Sequence, residues 1–307
     1  MDAQHLSKKL PIGTIASIKR YPKGMHNKTF CIITSQGTYS LRVYNYKKSD
    51  QITFECALLQ HLKGLPVPQL VKFGKKYTTM IDGKHAILYQ YIPGKQLQSF
   101  TSHQLHAVGI FLARFHNRGK TFVWRKPRYK FYDLPDKKIM KFASIARKAH
   151  APYLAYLPEI IKDLKANRLF PSLPEGPIHV DVKPENVLFY KGKLSGVLDF
   201  DNSYIGPYLL DLAKSMVWFG TKRKRFDIKA ALHIYRGYSF VRKLTIKEHR
   251  ELYKAIKFAF LSHVFVDYYM YAIRATTKKY FDFIVNELYV TYKAFTMDEE
   301  EFYSIFK

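Results

Sequence analysis

The feature of this sequence that most constrains its fold is a change of pattern at Pro93-Gly94. Before this break, alternating apolar residues and turn signals predict one helix over 50–63 and strands at 15–20, 29–34, 39–44, 70–73 and 86–91. After it, helical spacing of apolar residues predicts helices over 101–117, 136–149, 155–168, 207–219, 225–239, 245–275 and 279–294. We therefore expect an α+β chain of two lobes, β-rich with one helix over 1–92 and mostly helical over 93–307.

Composition limits the class of protein. The chain has 307 residues, 47% of them hydrophobic, so it has the apolar material for a core and is not a disordered chain. Its two cysteines, Cys31 and Cys56, exclude a disulfide scaffold and a zinc site of paired cysteines. The formal charge of +27 leaves open a nucleic acid, an anionic surface or an anionic substrate as partner. Basic residues are dispersed along the chain, which argues against a nucleic-acid partner.

No segment predicts export or membrane insertion. The first 20 residues lack the long apolar stretch of a secretory signal peptide. The most apolar stretch, 258–273, is shorter than the roughly 20 residues of a spanning helix and is interrupted by His263 and Asp267. We interpret it as a buried helix and expect a cytoplasmic protein without a transmembrane segment. The aromatic run at 267–271 fits either a core or the wall of an acceptor pocket.

The interval 178–201, IHVDVKPENVLFYKGKLSGVLDFD, combines strand character with a pattern of polar residues. A hairpin turning at Lys191-Gly192 brings its two ends together, so Asn186 and Asp199 can offer oxygen ligands to one Mg²⁺ ion. Asp181 lies beside them and can accept the proton of an attacking hydroxyl. These are the parts that phosphoryl transfer requires.

The same interval resembles the catalytic loop and metal-binding segment of the protein-kinase-like superfamily. It is more similar to the aminoglycoside phosphotransferase and choline kinase branch, with H-x-D-x-x-x-x-N and then D-x-D, and most similar to homoserine-kinase-type phosphotransferases. The resemblance implies a bilobal protein-kinase-like fold, ATP and Mg²⁺ as cofactors, Asp181 as catalytic base, and Asn186 and Asp199 as metal ligands. Asp201 is left as a second metal ligand or a helix cap, and Lys183 as a γ-phosphate contact or a solvated lysine.

Two further motifs of this family match the C-terminal lobe. The D-L-A motif matches 211–213, and we expect Asp211 to brace the catalytic loop from a helix rather than to touch substrate. The L-A-x-x-H motif matches 112–116, and we interpret His116 as a buried packing residue.

The N-terminal lobe resembles the nucleotide-binding lobe of the same family. A loop with Gly24 and Asn27 lies where the family holds nucleotide phosphates, and the third strand carries Arg42 where the commoner residue is lysine. Glu55, on the following helix, is the expected ion-pair partner that braces Arg42; a plain surface pair is the alternative. The resemblance assigns adenine binding to a hinge of Gln90, Tyr91 and Ile92.

These features predict an ATP-dependent phosphotransferase, a kinase that acts on a hydroxyl of a small molecule. The positive charge of the chain excludes strongly cationic acceptors and leaves a homoserine-like amino alcohol, a sugar or, through an aromatic cage, choline. Two alternatives stay open: a catalytically inactive nucleotide-binding relative, and a basic nucleic-acid-binding protein whose binding would fall steeply with salt. The acceptor, the choice of ATP over GTP and the oligomeric state are not determined by the sequence.

Overall fold

The N-terminal lobe is built on an antiparallel sheet. The structure is a computed structural model, and it describes residues 3–21, 27–45, 47 and 49–306. The elements of this lobe are α1 (Ala3–Lys9), β1 (Ile15–Arg20), β2 (Asn27–Thr34), β3 (Gly37–Tyr44), α2 (Ser49–His61), β4 (Thr78–Ile81) and β5 (Lys84–Gln90). The strands lie in the order β1-β2-β3-β5-β4. β2 and β3 are joined by a tight turn in which Gly37 has a φ of 134°.

The strand predicted at 70–73 does not form as such. Only isolated bridges occur there, from Leu70 to Tyr89 and from Phe73 to Lys76. The preceding prolines remove backbone donors, and the strand that pairs with β5 over 84–87 is β4, which the sequence analysis missed. The other predicted strands of this lobe and the predicted helix are confirmed within a few residues.

The C-terminal lobe is mostly helical, as predicted. Its helices are α3 (Ser102–Gly119), α4 (Asp136–Lys148), α5 (Leu157–Ala166), α6 (Tyr208–Gly220), α7 (Ile228–Val241), α8 (Ile246–Ala272), α9 (Lys278–Ile284), α10 (Val290–Ala294) and α11 (Glu299–Ile305). A π-helical turn, Val285–Tyr289, joins α9 to α10, so the single helix predicted over 279–294 has a widened turn in its middle. The terminal helices α1 and α11 were not predicted from the sequence.

Two glycines bring helices α3 and α7 into close contact. Gly109 on α3 and Gly237 on α7 let the two backbones touch, because a Cβ atom on either would lie 2.0 Å from a carbonyl oxygen of the other helix. Buried residues of α8 run from Phe258 to Tyr268, which confirms the buried helix. No helix in the described ranges combines the length and apolarity needed to cross a bilayer.

Short strands carry the polar interval. They are β6 (Glu175–Ile178), β7 (Val187–Tyr190), β8 (Lys193–Val197) and β9 (Tyr204–Pro207), followed after α6 by a small hairpin, β10 (Thr221–Lys222) and β11 (Arg225–Phe226). β7 pairs with β8 across a turn at Lys191 and Gly192, whose φ values are +48° and +77°, as predicted. β6 pairs with β9. Residues 179–186 and 198–203 are therefore adjacent loops that emerge from paired strands.

The hydrophobic core extends across the boundary between the two lobes near residue 93. Within the described residues, a smaller cluster lies in the N-terminal lobe and includes Ile32, Leu41 and Leu88. The larger cluster joins the inner face of α2, including Phe54 and Leu58, to the apolar residues of the C-terminal lobe. The lobes thus share packing through α2, which holds the sheet above the polar interval.

Candidate active site

Asp211 anchors the loop that carries Asp181. Its carboxylate is fully buried and accepts hydrogen bonds from the backbone N–H groups of His179 (2.8 Å) and Val180 (2.7 Å). Val180 has a φ of +64°, a strained conformation for a β-branched residue, and these hydrogen bonds hold it there. Asp211 therefore braces the loop from α6, as predicted.

His116 supports Asp211 from α3. Its Nε2 lies 3.0 Å from Asp211 Oδ2, and its Nδ1 lies 2.7 Å from the Tyr238 hydroxyl, which accepts from Arg242. The Asp211 carboxylate can only accept, so Nε2 carries the proton. Burial lowers the pKa of His116 and favours the neutral ring, whose Nδ1 accepts from Tyr238. Arg242 in turn pairs with buried Glu248 at 2.9 Å. His116 is thus buried, as expected, but it is also a hydrogen-bonding link that the sequence analysis missed.

His179 orients the same loop from within. Its Nδ1 accepts from the Asp181 backbone N–H (3.2 Å), so Nε2 carries the proton and donates to the Leu198 carbonyl (2.9 Å). The ring is buried edge-on against Phe200. His179 therefore ties the Asp181 loop to the Asp199 loop.

Asp181 is held by Asn186 and Lys183. Asn186 Nδ2 donates to the Asp181 backbone carbonyl (2.9 Å) and to Oδ2 (3.1 Å). Lys183 Nζ lies 3.0 Å from the same Oδ2, and this carboxylate outweighs burial and raises the lysine pKa. Oδ1 of Asp181 is buried and has no hydrogen-bond partner among the described residues. One oxygen of Asp181 is thus fixed in place and the other is available to a donor.

Asp199 and Asp201 both face Arg42. The Arg42 guanidinium lies 2.7 Å from Asp199 Oδ1 and 3.0 Å from Asp201 Oδ2. Burial opposes ionisation of Asp199, but the charge of Arg42 outweighs it and lowers the pKa of that carboxyl. Asp201 Oδ2 also accepts from Asn27 Nδ2 (3.0 Å) and lies 3.6 Å from Lys47 Nζ. Asp201 binds side chains of the N-terminal lobe rather than capping a helix.

The donor set near Asp199 suits a hard divalent cation such as Mg²⁺. The Leu198 N–H donates to the Asn186 carbonyl at 2.8 Å, so the hairpin brings Asn186 beside Asp199 as predicted. Asn186 Nδ2 is committed to Asp181, which leaves the amide oxygen as its ligand atom. No cluster of three or more His, Cys, Asp or Glu side chains suited to a metal occurs in the described part of the chain. An ion held by one amide and one or two carboxylates leaves coordination positions for phosphate and water oxygens.

The predicted ion pair between Arg42 and Glu55 is not formed. Glu55 is 2% exposed, and its two carboxylate oxygens accept from the hydroxyls of Tyr44 (2.8 Å) and Tyr89 (2.9 Å). Burial raises the pKa of Glu55, although the nearby Arg42 opposes that shift. The prediction was wrong because Arg42 pairs instead with Asp199 and Asp201, two carboxylates of the C-terminal lobe that are distant in sequence.

The remaining nucleotide-site predictions are tested only in part by the structure. Gly24 lies outside the described residues. In the hinge, the N–H groups of Gln90 and Tyr91 donate to the carbonyls of Gln69 (2.9 Å) and Thr38 (3.1 Å). Ile92 lies against β8, where a Cβ on residue 196 would meet its side chain at 2.8 Å. An adenine contact from Gln90 or Tyr91 would therefore use a carbonyl or a side chain, and the hinge assignment stays a prediction.

Sequence reasoning missed two sets of residues near this site. Arg128 donates to the backbone carbonyls of Asp201 (2.7 Å) and Ser203 (2.9 Å) from the connection between α3 and α4, which carries no motif. Lys214, with His263 and Asp267 of α8, forms a buried polar cluster on the other side of Asp181. A signal for this cluster existed, because a lysine stands in the mostly apolar α6, and His263 and Asp267 interrupt the apolar stretch 258–273 of α8.

Residues 17–244 match the model of the phosphotransferase enzyme family. A homoserine kinase of Beijerinckia indica is 30% identical over 246 residues, which is 77% of this chain and 75% of that protein. A homoserine kinase of Mesorhizobium japonicum is 30% identical over 249 residues, 78% of this chain and 77% of that protein.

A solved structure shares the fold. The amicoumacin kinase hAmiN, in complex with AMP-PNP, Ca²⁺ and Ami, superposes with a TM-score of 0.72 at 15% identity, over 99% of this chain and 97% of that one. The α+β, two-lobed arrangement predicted from the sequence is thereby confirmed.

Proposed function

The chain belongs to the phosphotransferase enzyme family and is a small-molecule kinase, and on that premise we propose that it transfers the γ-phosphoryl group of ATP, with Mg²⁺, to the hydroxyl of a homoserine-like amino alcohol. Relatives named as homoserine kinases at 30% identity support this choice of acceptor over choline or a sugar. The reaction takes place in the cytoplasm, as expected from the sequence. The presence of Asp181, Asn186 and Asp199 argues against a catalytically inactive member of this family.

The observation that carries the proposal is the state of Asp181. Oδ2 is fixed by Asn186 and Lys183, while Oδ1 is buried with no partner among the described residues. Oδ1 accepts the proton of the acceptor hydroxyl. The hydroxyl oxygen then bonds to the γ-phosphorus, and the bond from the γ-phosphorus to the β,γ-bridging oxygen breaks. ADP leaves with the bridging oxygen, and Asp181 then releases its proton to solvent.

Other residues position the reactants. Asn186 and Asp199 hold Mg²⁺, with Asp201 beside them, and the ion when bound neutralises charge on the β- and γ-phosphates. Arg42 and Asn27 lie on the nucleotide side of these carboxylates, so both can turn to phosphate oxygens. Lys183 holds Asp181 in place, and its Nζ can also contact a γ-phosphate that lies beside Asp181.

The test is an assay with ATP, Mg²⁺ and L-homoserine that follows ADP release and the phosphate ester by phosphorus NMR. The native chain should form the ester, and Asp181→Asn should lower the rate roughly 10²- to 10⁴-fold, because the general base is lost. Asp136→Asn, an exposed ion-pair residue on α4, is the matched control. Equal rates in the native chain and Asp181→Asn would refute the assigned role. If phosphoryl transfer depends on Asp181 but homoserine is not phosphorylated, only the proposed acceptor is refuted.

A further inference from the structure

A buried polar cluster lies on the α8 side of Asp181. Lys214 Nζ on α6 is 3.3 Å from Nδ1 of His263, and His263 Nε2 is 3.3 Å from Asp267 Oδ2. The Tyr132 hydroxyl lies 3.1 Å from the same Nδ1. His263 Nδ1 accepts from Lys214, so Nε2 carries the proton, and burial lowers the pKa of His263 and keeps the ring neutral. The histidine thus separates a cation at one end from a carboxylate at the other.

The two charges of this cluster lack close ion pairs in the described ranges, although Asp181 and Asp267 act on Lys214 from a longer distance. Lys214 is 1% exposed, and its Nζ lies over the Tyr132 ring. Among the residues that the structure describes, no carboxylate lies within 4.0 Å of Lys214 Nζ, and no lysine or arginine lies within 4.0 Å of Asp267. Buried charges without a counter-charge are costly, and natural cores seldom retain them without a functional reason.

Burial acts on both ends in opposite directions. It lowers the pKa of Lys214 to about 7 and raises the pKa of Asp267 to about 7. An anionic group beside Lys214 and a cationic group beside Asp267 would each restore the charged form. The cluster is therefore complementary to a molecule that carries both charges a few ångströms apart, as an α-amino acid does.

The cluster is next to the reaction centre. Lys183, which is 3.0 Å from Asp181, lies over the Trp218 ring, and that ring contacts His263 edge-on with centroids 4.8 Å apart. Tyr132 over the cluster is only half-buried, so the cluster lies directly beneath the surface. The charge of Asp181 also acts on Lys214. In homoserine, two methylene groups separate the hydroxyl from the carbon that carries both charges, so the hydroxyl extends away from the charged groups.

We propose that Lys214 and Asp267 are specificity residues that bind the carboxylate and the ammonium group of the acceptor, with His263 as the fixed spacer between them. The inference rests on the proposed function, since it assigns the acceptor side of the same site. Lys214 donates to the carboxylate, Asp267 accepts from the ammonium group, and the hydroxyl is thereby directed toward Asp181.

The test compares three acceptors that differ by one charged group: L-homoserine, 4-hydroxybutanoate, which lacks the ammonium group, and 3-aminopropan-1-ol, which lacks the carboxylate. In Lys214→Met, kcat/KM should fall roughly 10- to 100-fold for the two acceptors with a carboxylate and far less for 3-aminopropan-1-ol. In Asp267→Asn, it should fall by a similar factor for the two amines and far less for 4-hydroxybutanoate. Lys214→Arg should recover part of the preference for a carboxylate.

Lys254→Met, which removes a partly exposed lysine elsewhere on α8, is the control and should leave the ratios among acceptors unchanged. A melting curve with and without Mg·ATP checks that each variant is folded. An equal loss for all three acceptors in folded Lys214→Met and Asp267→Asn would overturn the proposal. If the native chain phosphorylates homoserine but neither variant changes the ratios, the inference fails while the proposed function stands.

Discussion

On the side of Asp181 proposed to bind the nucleotide, Asp199 and Asp201 are paired with Arg42. On the side proposed to bind the acceptor, no opposite charge in the described part of the chain lies within 4.0 Å of Lys214, and no lysine or arginine lies within 4.0 Å of Asp267. Arg42 bridges Asp199 and Asp201 at 2.7 and 3.0 Å. Lys214 and Asp267 have only a neutral histidine between them. The regions differ in burial as well as in pairing, because the Asp199 side chain is 37% exposed whereas Lys214 is 1% exposed.

The difference teaches what each side asks of its ligand. On the nucleotide side, a cation that joins Asp199 competes with Arg42, so binding exchanges one ion pair for others. On the proposed acceptor side, a zwitterion would replace no ion pair and would supply an opposite charge to each of the two buried charges. Binding there is selective for acceptors with both charges, because an acceptor with one charge leaves the other end of the cluster unpaired.

The largest expected effect is at Asp199. Asp199→Asn removes a metal-ligand charge and the shorter of the two Arg42 ion pairs, so kcat/KM for ATP should fall roughly 10³-fold, in line with the several kcal/mol that a metal ion contributes to phosphoryl transfer. Steady-state assays with homoserine measure it, with Asp136→Asn as the control. A loss below tenfold would show that the paired carboxylates of this side are structural.

A second effect concerns stability at a buried charge whose oxygens all accept hydrogen bonds. Asp211→Ala leaves two buried N–H groups and His116 without their acceptor, so the free energy of unfolding should fall by about 3–5 kcal/mol. Lys214→Met removes an unpaired buried charge and should leave stability at pH 7 unchanged or raised. Urea denaturation compares them. Equal destabilisation by both substitutions would mean that the two kinds of site do not differ.

Local pattern accounts for the elements of this fold better than for its contacts. The spacing in the interval 178–201 was enough to predict the hairpin and the approach of Asn186 to Asp199, because both depend on a short turn. The pairing of Arg42 was mispredicted, since its partners lie 157 and 159 residues away. Lys214 was missed for the same reason: its meaning depends on α8, which only the folded chain brings beside α6.

A third effect is the pH dependence of stability at Lys214. The pKa of Lys214 is about 7 in the folded chain, against an ordinary value of 10.5. Between these values the unfolded chain binds more protons than the folded chain, so the contribution of Lys214 to the free energy of unfolding rises with pH from about 7 to 10.5. Lys214→Met should lack this rise, and urea denaturation at several pH values would show the two curves converging or crossing.

Lys254→Met is the control for that comparison, because its exposed position predicts a curve parallel to that of the native chain. Parallel curves for the native chain and Lys214→Met would contradict the prediction, and would mean that Lys214 is charged and well compensated throughout this pH range.

The smallest effect is expected at Glu55, where a substitution tests whether this carboxylate supports Arg42 in nucleotide binding. Glu55→Gln keeps the shape of the side chain, and the native carboxylate binds Tyr44 and Tyr89 rather than Arg42. The KM for ATP should therefore change by less than about threefold, which corresponds to under 1 kcal/mol. Arg42→Met, measured in the same assay, should raise the KM for ATP far more, because Arg42 is the residue that pairs with Asp199. A rise in Glu55→Gln that matched Arg42→Met would mean that Glu55 braces Arg42 during turnover, and that the pairing of Arg42 with Asp199 and Asp201 is exchanged when the nucleotide binds.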